Sequence, residues 1–187
     1  MAVTVYGDGA ITGLTNNIRE QFFYPCNGEQ ITTASGATLT FPNVTAEQDG
    51  TTTWTDLTGS SISYTPPSGT KTVIYKFVFE NSRDADALGI SSFKLFIDSD
   101  EVVHARWSYS GEKIGGLVTI EWPIRIGGSA DTNTGRVATW TQNKTIKLQY
   151  RENSSNSETK AHQTRYWDGD AADTFVIPRI GITALTT

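Results

Sequence analysis

The chain has 187 residues and a formal net charge of −5, and its 15 Lys plus Arg are scattered singly, so it lacks the basic stripe that would neutralise a row of phosphates, and nucleic acid is excluded as an expected partner. Aromatic residues make up 11% of it beside 17 Gly and only 6 Pro, and Thr dominates the polar remainder, which is the composition of a β-rich, turn-rich globular protein and excludes a disordered chain or a helical bundle. No window approaches about 18 consecutive apolar residues, and the opening MAVTVYGDGA has no charged segment ahead of an apolar run, so the expectation is synthesis in the cytoplasm and no membrane partner.

Residues 1–30 hold short pieces: the alternating Ala2 to Tyr6, a Gly7-Asp8-Gly9 turn, Ile11 to Leu14, and Ile18 to Tyr24 with its three consecutive aromatics. None could form a core alone, so this part reads as an arm that packs on the main body or on another subunit. Cys26 has no second cysteine to pair with and reads as a small, semi-buried side chain. Residues 31–70 are mostly Thr, Ser, Gly and Asp with isolated apolar positions, as in short strands of modest stability, and Trp54 with the Asp56 to Ser61 turn reads as a loop tip. Pro66-Pro67-Ser68-Gly69 then breaks the chain. It predicts a division into 1–70, an N-terminal arm and attachment region, and 71–187, the main domain.

Thr72 to Glu80, TVIYKFVFE, is the most strongly patterned stretch. Val73, Tyr75, Phe77 and Phe79 share one face at period two, and the other face mixes Ile74 and Val78 with Lys76 and Glu80. That predicts a central strand of an antiparallel sheet with a partly covered outer face. After the polar stretch NSRDADALG, Ile90 to Asp98 and Val102 to Tyr109 flank a turn and predict a hairpin. Leu117 to Ile126 follows, with Pro123 arguing for an edge or a bulge. Thr145 to Glu152 alternates Ile146, Leu148 and Tyr150 with polar residues, as a half-exposed strand would. His162 to Trp167, the turn Asp168-Gly169-Asp170, and Phe175 to Ile182 close the series. Turn signals spaced about ten residues apart, with loops too long for a meander, predict an all-β fold: an antiparallel β-sandwich of jelly-roll type with an N-terminal β-rich arm.

Signatures of chemistry are sparse. His104 and His162 lie far apart on predicted strands, without zinc-site spacing, and no G-x-S-x-G elbow, P-loop or H-E-x-x-H occurs. Asp84, Asp86, Asp98, Asp100, Glu101, Asp168, Asp170 and Asp173 could supply a catalytic carboxylate pair or hold calcium, but all sit in predicted turns, where Asp is favoured for bonding its local backbone. The expectation is therefore no enzyme, no cofactor and no metal. Tyr75, Phe77, Trp107, Trp122, Trp140 and Trp167 are the candidate contact residues, as core, as an oligomer interface or as a glycan platform.

The segments MAVTVYGDGAITGLTN, ISYTPPSGTKTVIYKFVFE, IGGSADTNTGRVATWT, AHQTRYWDG and FVIPRIGITAL resemble a recurring type of virion structural protein in tailed phages of marine bacteria, cyanophage-like viruses included. The resemblance implies a structural protein of the virion, assembled in the host bacterial cytoplasm, where a chain with one cysteine and no disulfide is at home. Large apolar side chains on both faces of the strands at 72–80 and 117–126, more than one thin sandwich needs, predict self-association, with a trimer favoured, and the resemblance implies contact with major capsid or tail proteins. Capsid decoration or a head fibre is the favoured role. A tail-associated protein that binds a host glycan is the rival, and a capsule depolymerase is the more distant one. The resemblance transfers no catalytic residue.

Overall fold

A computed structural model describes residues 17–83, 89–111 and 113–187, with the backbone of 4–5 and 11–12. The Gly7-Asp8-Gly9 turn, Asp84 and Asp86 lie outside the described residues. In chain order the strands are β1 (Thr4–Val5), β2 (Ile11–Thr12), β3 (Ile18–Pro25), β4 (Gln30–Thr32), β5 (Thr38–Thr40), β6 (Gln48–Asp49), β7 (Thr55–Asp56), β8 (Ile62–Tyr64) and β9 (Thr72–Arg83). They continue as β10 (Gly89–Ile97), β11 (Asp100–Gly111), β12 (Gly116–Arg125), β13 (Lys144–Glu152), β14 (Thr159–Ala161), β15 (Gln163–Asp168), β16 (Asp170–Phe175) and β17 (Arg179–Leu185).

Most of the strands form two packed antiparallel sheets, with β6 and β14 continuing the first beyond β9, while β1–β2, β4–β5 and β15–β16 are separate two-stranded ribbons. One runs β3-β17-β9-β12, because β9 pairs with β17 along one edge and with β12 along the other. The second runs β11-β10-β13, with β7 and β8 lying end to end along the free edge of β13. Taken in chain order, β3, β8, β9, β10, β11, β12, β13 and β17 give two interleaved four-stranded sheets, which is the jelly-roll connection. β9 is central, as its pattern predicts, and it extends through Arg83 into the stretch read as loop. Pro123 sits on β12, an outer strand, where its missing N–H costs no ladder bond on the open side. Phe175 to Ile182, expected as one strand, is two: Pro178 separates β16 from β17.

The break at Pro66-Pro67 does not divide the core. β3 pairs with β17 and β8 with β13, so residues on both sides of position 70 share one interior, with Phe22, Phe41, Leu57 and Tyr64 joined to Tyr75, Phe77 and Leu148. Isolated apolar positions in 18–64 look weak in sequence because each short strand buries at most two side chains.

The Asp56 to Ser61 segment is likewise no loop tip. It is a half-buried turn between β7 and β8, anchored by Leu57 and Ser60, whose successive carbonyls are met by side chains from elsewhere in the chain. Thr58 O accepts from His162 Nε2 at 2.9 Å, Gly59 O from Cys26 Sγ at 3.4 Å, and Ser60 O from the Tyr75 hydroxyl at 2.7 Å. Ser60 Oγ donates to Leu57 O and accepts from Leu148 N–H, stitching the turn to β13. Each bond removes the desolvation penalty of a buried carbonyl. Burial pushes the Cys26 thiol up to about 12, so it is an inert, neutral donor here. Trp54 lies beside the cations of Lys94 and Arg151, whose charges sit 4.7 and 5.6 Å from its ring.

Candidate functional site

The six candidate aromatics separate cleanly. Tyr75 and Phe77 point inward from β9 and are fully buried, and Trp140 is buried against Tyr64, its ring N–H donating to Tyr64 O at 2.9 Å. These three serve the core of their own protomer and offer nothing to a neighbour or a sugar, because the inward face of β9 is covered by the opposite sheet. Trp107 is 54% exposed, Trp122 is half-buried, and Trp167 is 71% exposed.

Trp107 and Trp122 belong together. β11 and β12 are outer strands of different sheets on the same side of the sandwich, and a hollow of about 320 Å³ opens between them. Register explains why both indoles are there. Trp107 is paired with Phe93 and Trp122 with Tyr75, and Phe93 and Tyr75 both face the core, so both tryptophans occupy inward-facing positions on strands that have no further neighbouring strand among the described residues. Ala105 and Ile120 are the buried residues between them, and the small Ala105 side chain leaves the space unfilled. Trp122 is held by its ring N–H, which donates to Thr134 O at 3.0 Å.

His104, Arg106, Thr119 and Glu121 complete the lining. The two charged groups already have partners. Arg106 Nε donates to Glu101 at 2.6 Å, and Lys76 Nζ lies 3.2 Å from Glu121. The Arg106 bond, with Lys94 on the other carboxylate oxygen, holds Glu101 below the usual carboxylate range. The hollow therefore combines exposed indole, a hydroxyl, an imidazole and charged groups that are already paired.

A larger hollow, about 390 Å³, lies at the end of the sandwich among Pro66 to Lys71, Ile126, Gly127 and residues 138–141. Its lining is mainly turn backbone and small side chains, and its one indole, Trp140, is buried, so it presents less to a ligand than the seam does. No group of three His, Cys, Asp or Glu among the described residues is placed to hold a metal. Asp98 accepts from Lys144 and from the Thr145 N–H, and Asp173 pairs with Arg165 at 3.7 Å, both within their own turns or hairpins and their immediate neighbours. His162 is buried against the rings of Phe77 and Phe79, and His104 lies apart from it on the seam.

Trp167 stands on the β15–β16 hairpin, an excursion between β14 and β17. The base of that hairpin is tied to the turn between β11 and β12: Arg165 N–H and Thr164 Oγ1 each donate to Ile114 O at 2.9 Å. The two turns thus bring Ile114 (66% exposed) and Leu117 (57%) to the end of the sandwich that carries the hairpin, on which Tyr166 (58%) and Trp167 stand exposed on opposite faces as successive strand residues. Ile114 and Leu117 escape sequence reading because an apolar residue beside a turn looks the same whether it folds inward or stands free.

No family model matches the chain, and no curated protein matches it. Among solved structures, a chain in the structure of infectious bursal disease virus Gx strain aligns with a TM-score of 0.43 and 10% identity, over 98% of this chain and 37% of that one. This chain thus spans a little over a third of that length. A likeness at that level carries no functional information.

Proposed function

We propose that the protein is a non-enzymatic structural component of a virus particle, a capsid-decorating or head-fibre protein that works by docking rather than by chemistry. The observation that carries this reading is the apolar end formed by Ile114, Leu117, Tyr166 and Trp167. Several large apolar side chains left exposed on two joined turns favour a protein–protein contact, whereas a single one does not. The resemblance of the sequence to phage virion proteins supplies the kind of particle. A sandwich that buries an aromatic core on both sheets supplies the rigid body such a role needs.

Self-association through this end, with closed three-fold symmetry favoured, gives the aromatic hairpin a partner. Residues 1–70 remain the proposed attachment region, now as a segment that also lends β3 and β8 to the sandwich. Two measurements test the proposal. Sedimentation of the purified protein should show an oligomer that the double substitution Leu117→Ser, Trp167→Ser dissociates without unfolding. Imaging of labelled virions should place many copies over the shell. A stable monomer at micromolar concentration would overturn the docking role, and a few copies confined to the tail would overturn decoration in favour of receptor binding.

A further inference from the structure

The seam between β11 and β12 sits apart from the apolar end and has a different chemistry. It is amphipathic rather than greasy: one half-exposed indole, a second indole held by its own hydrogen bond, and a rim of hydroxyl, imidazole and carboxylate. We propose that it is a binding site for a neutral saccharide, with Trp107 as the stacking platform and Thr119, His104 and Glu121 as the hydrogen-bonding rim.

Three features favour that class of ligand. First, a hollow of about 320 Å³ is too small for a folded partner and is of the size that takes a sugar ring or two. Second, both charged groups of the lining, Arg106 and Glu121, are already engaged in ion pairs with Glu101 and Lys76, which weakens their hold on an ionic ligand, while carboxylate and hydroxyl oxygens keep lone pairs free for sugar hydroxyls. Third, the platform lies on paired strands rather than on a loop, and the neighbouring Trp122 is fixed by Thr134 O, so the backbone that carries the platform is already ordered before binding. An indole face against the C–H face of a pyranose uses the apolar body of Trp, while the ring's hydroxyls reach the rim. Display of the protein in many copies on one particle would multiply a weak single-site affinity. Saccharide binding at the seam is independent of where in a particle the protein sits and of the docking role of the apolar end.

The test is a titration of the intact protein with methyl glucoside, methyl galactoside and N-acetylglucosamine, with N-acetylneuraminic acid as the anionic comparator, followed by calorimetry and saturation-transfer NMR. At least one neutral sugar should bind saturably in the millimolar range. Trp107→Ala should weaken it by about tenfold or more, the loss expected when an aromatic ring is removed from beneath a flat ligand. Trp107→Phe should retain most of the affinity, Thr119→Val should lose part of it, and Trp167→Ala, on the hairpin, should change nothing. Sedimentation of each variant runs alongside. Absence of saturable binding by any neutral sugar, binding of the anionic sugar alone, or undiminished binding by Trp107→Ala would each overturn the proposal. So would loss of self-association on substitution of Trp107, because the seam would then be a contact between copies of the chain. If Trp107→Ala does not fold, Trp107→Leu and Thr119→Val take its place, and undiminished binding by both would overturn the proposal in the same way.

Discussion

The two halves of the sandwich are lined by the same long strands yet are held by different forces. Around Val73, Tyr75 and Phe77 the interior is almost wholly apolar, with Leu95, Ile146, Leu148, Ile180 and Ile182 packed from both sheets. Two residues beyond Phe79 on β9 the inward position is Asn81, and it meets Ser91 of the opposite sheet through an Nδ2 to Oγ bond of 3.1 Å. Around that pair lie buried Glu152, Thr159, His162 and Gln163. Tyr150 bonds Thr159 at 2.6 Å, and the Glu152 carboxylate accepts the Thr159 N–H. Apolar packing is non-directional and tolerates small shifts, whereas a polar interior stabilises only if every donor finds its acceptor. The polar half lies under the end that carries the two exposed turns. It fixes β14 and the base of the β15–β16 hairpin in one arrangement, so that the aromatic end is presented in a defined way.

Removing volume from the apolar half has the largest expected effect. Phe77→Ala should destabilise the protein by about 3–5 kcal/mol, the transfer and cavity terms for a fully buried ring, read as a fall in the denaturant midpoint. Trp167→Ala, a larger deletion on the exposed hairpin, should change stability by less than about 0.5 kcal/mol in the same measurement. Equal losses from the two would show that the hairpin belongs to the core.

Acid probes the polar side. His162 lies against Phe77 and Phe79, donates from Nε2 to Thr58 O and leaves Nδ1 without a partner, so the neutral ring fits and the cation does not. Burial lowers its pKa from 6.5 to about 4. Between those values the unfolded chain takes up a proton that the native state refuses. Stability is therefore full above about pH 6.5, falls as pH drops toward 4 and levels off below, by up to about 3 kcal/mol. His162→Gln should flatten the slope between pH 6.5 and 4.5 in paired unfolding curves, and an unchanged slope would remove His162 as its cause.

A smaller effect resolves the polar half itself. Asn81→Ala takes the cross-sheet amide partner from the buried Ser91 hydroxyl and should cost about 1–3 kcal/mol, and adding Ser91→Ala should recover part of that loss. Strict additivity of the two substitutions would mean that the pair does not link the sheets.

How much of this is legible without coordinates depends on the range of the interaction. The period-two run Val73 to Phe79 is a local property of the chain: only a pleated strand buries all four side chains on one face, so the central strand, the β10–β11 hairpin, the strand at 144–152 and hence the all-β class can be read directly from the residues. The placement of Pro123 on an outer strand is equally local. Pairing partners distant in sequence leave no such trace, so it takes the folded chain to put Ile18–Pro25 beside Arg179–Leu185 and complete a sheet. The same holds for the turn at residues 57–60, whose polar sequence looks solvent-exposed until His162, Cys26 and Tyr75 reach its carbonyls. Trp107, Trp122 and Trp140 are the clearest instance. In sequence they are three tryptophans on or beside strands, with nothing to rank them. Burial depends on what lies across the sheet, and a neighbour covers Trp140 while the open seam between β11 and β12 leaves Trp107 in water with Trp122 at its side.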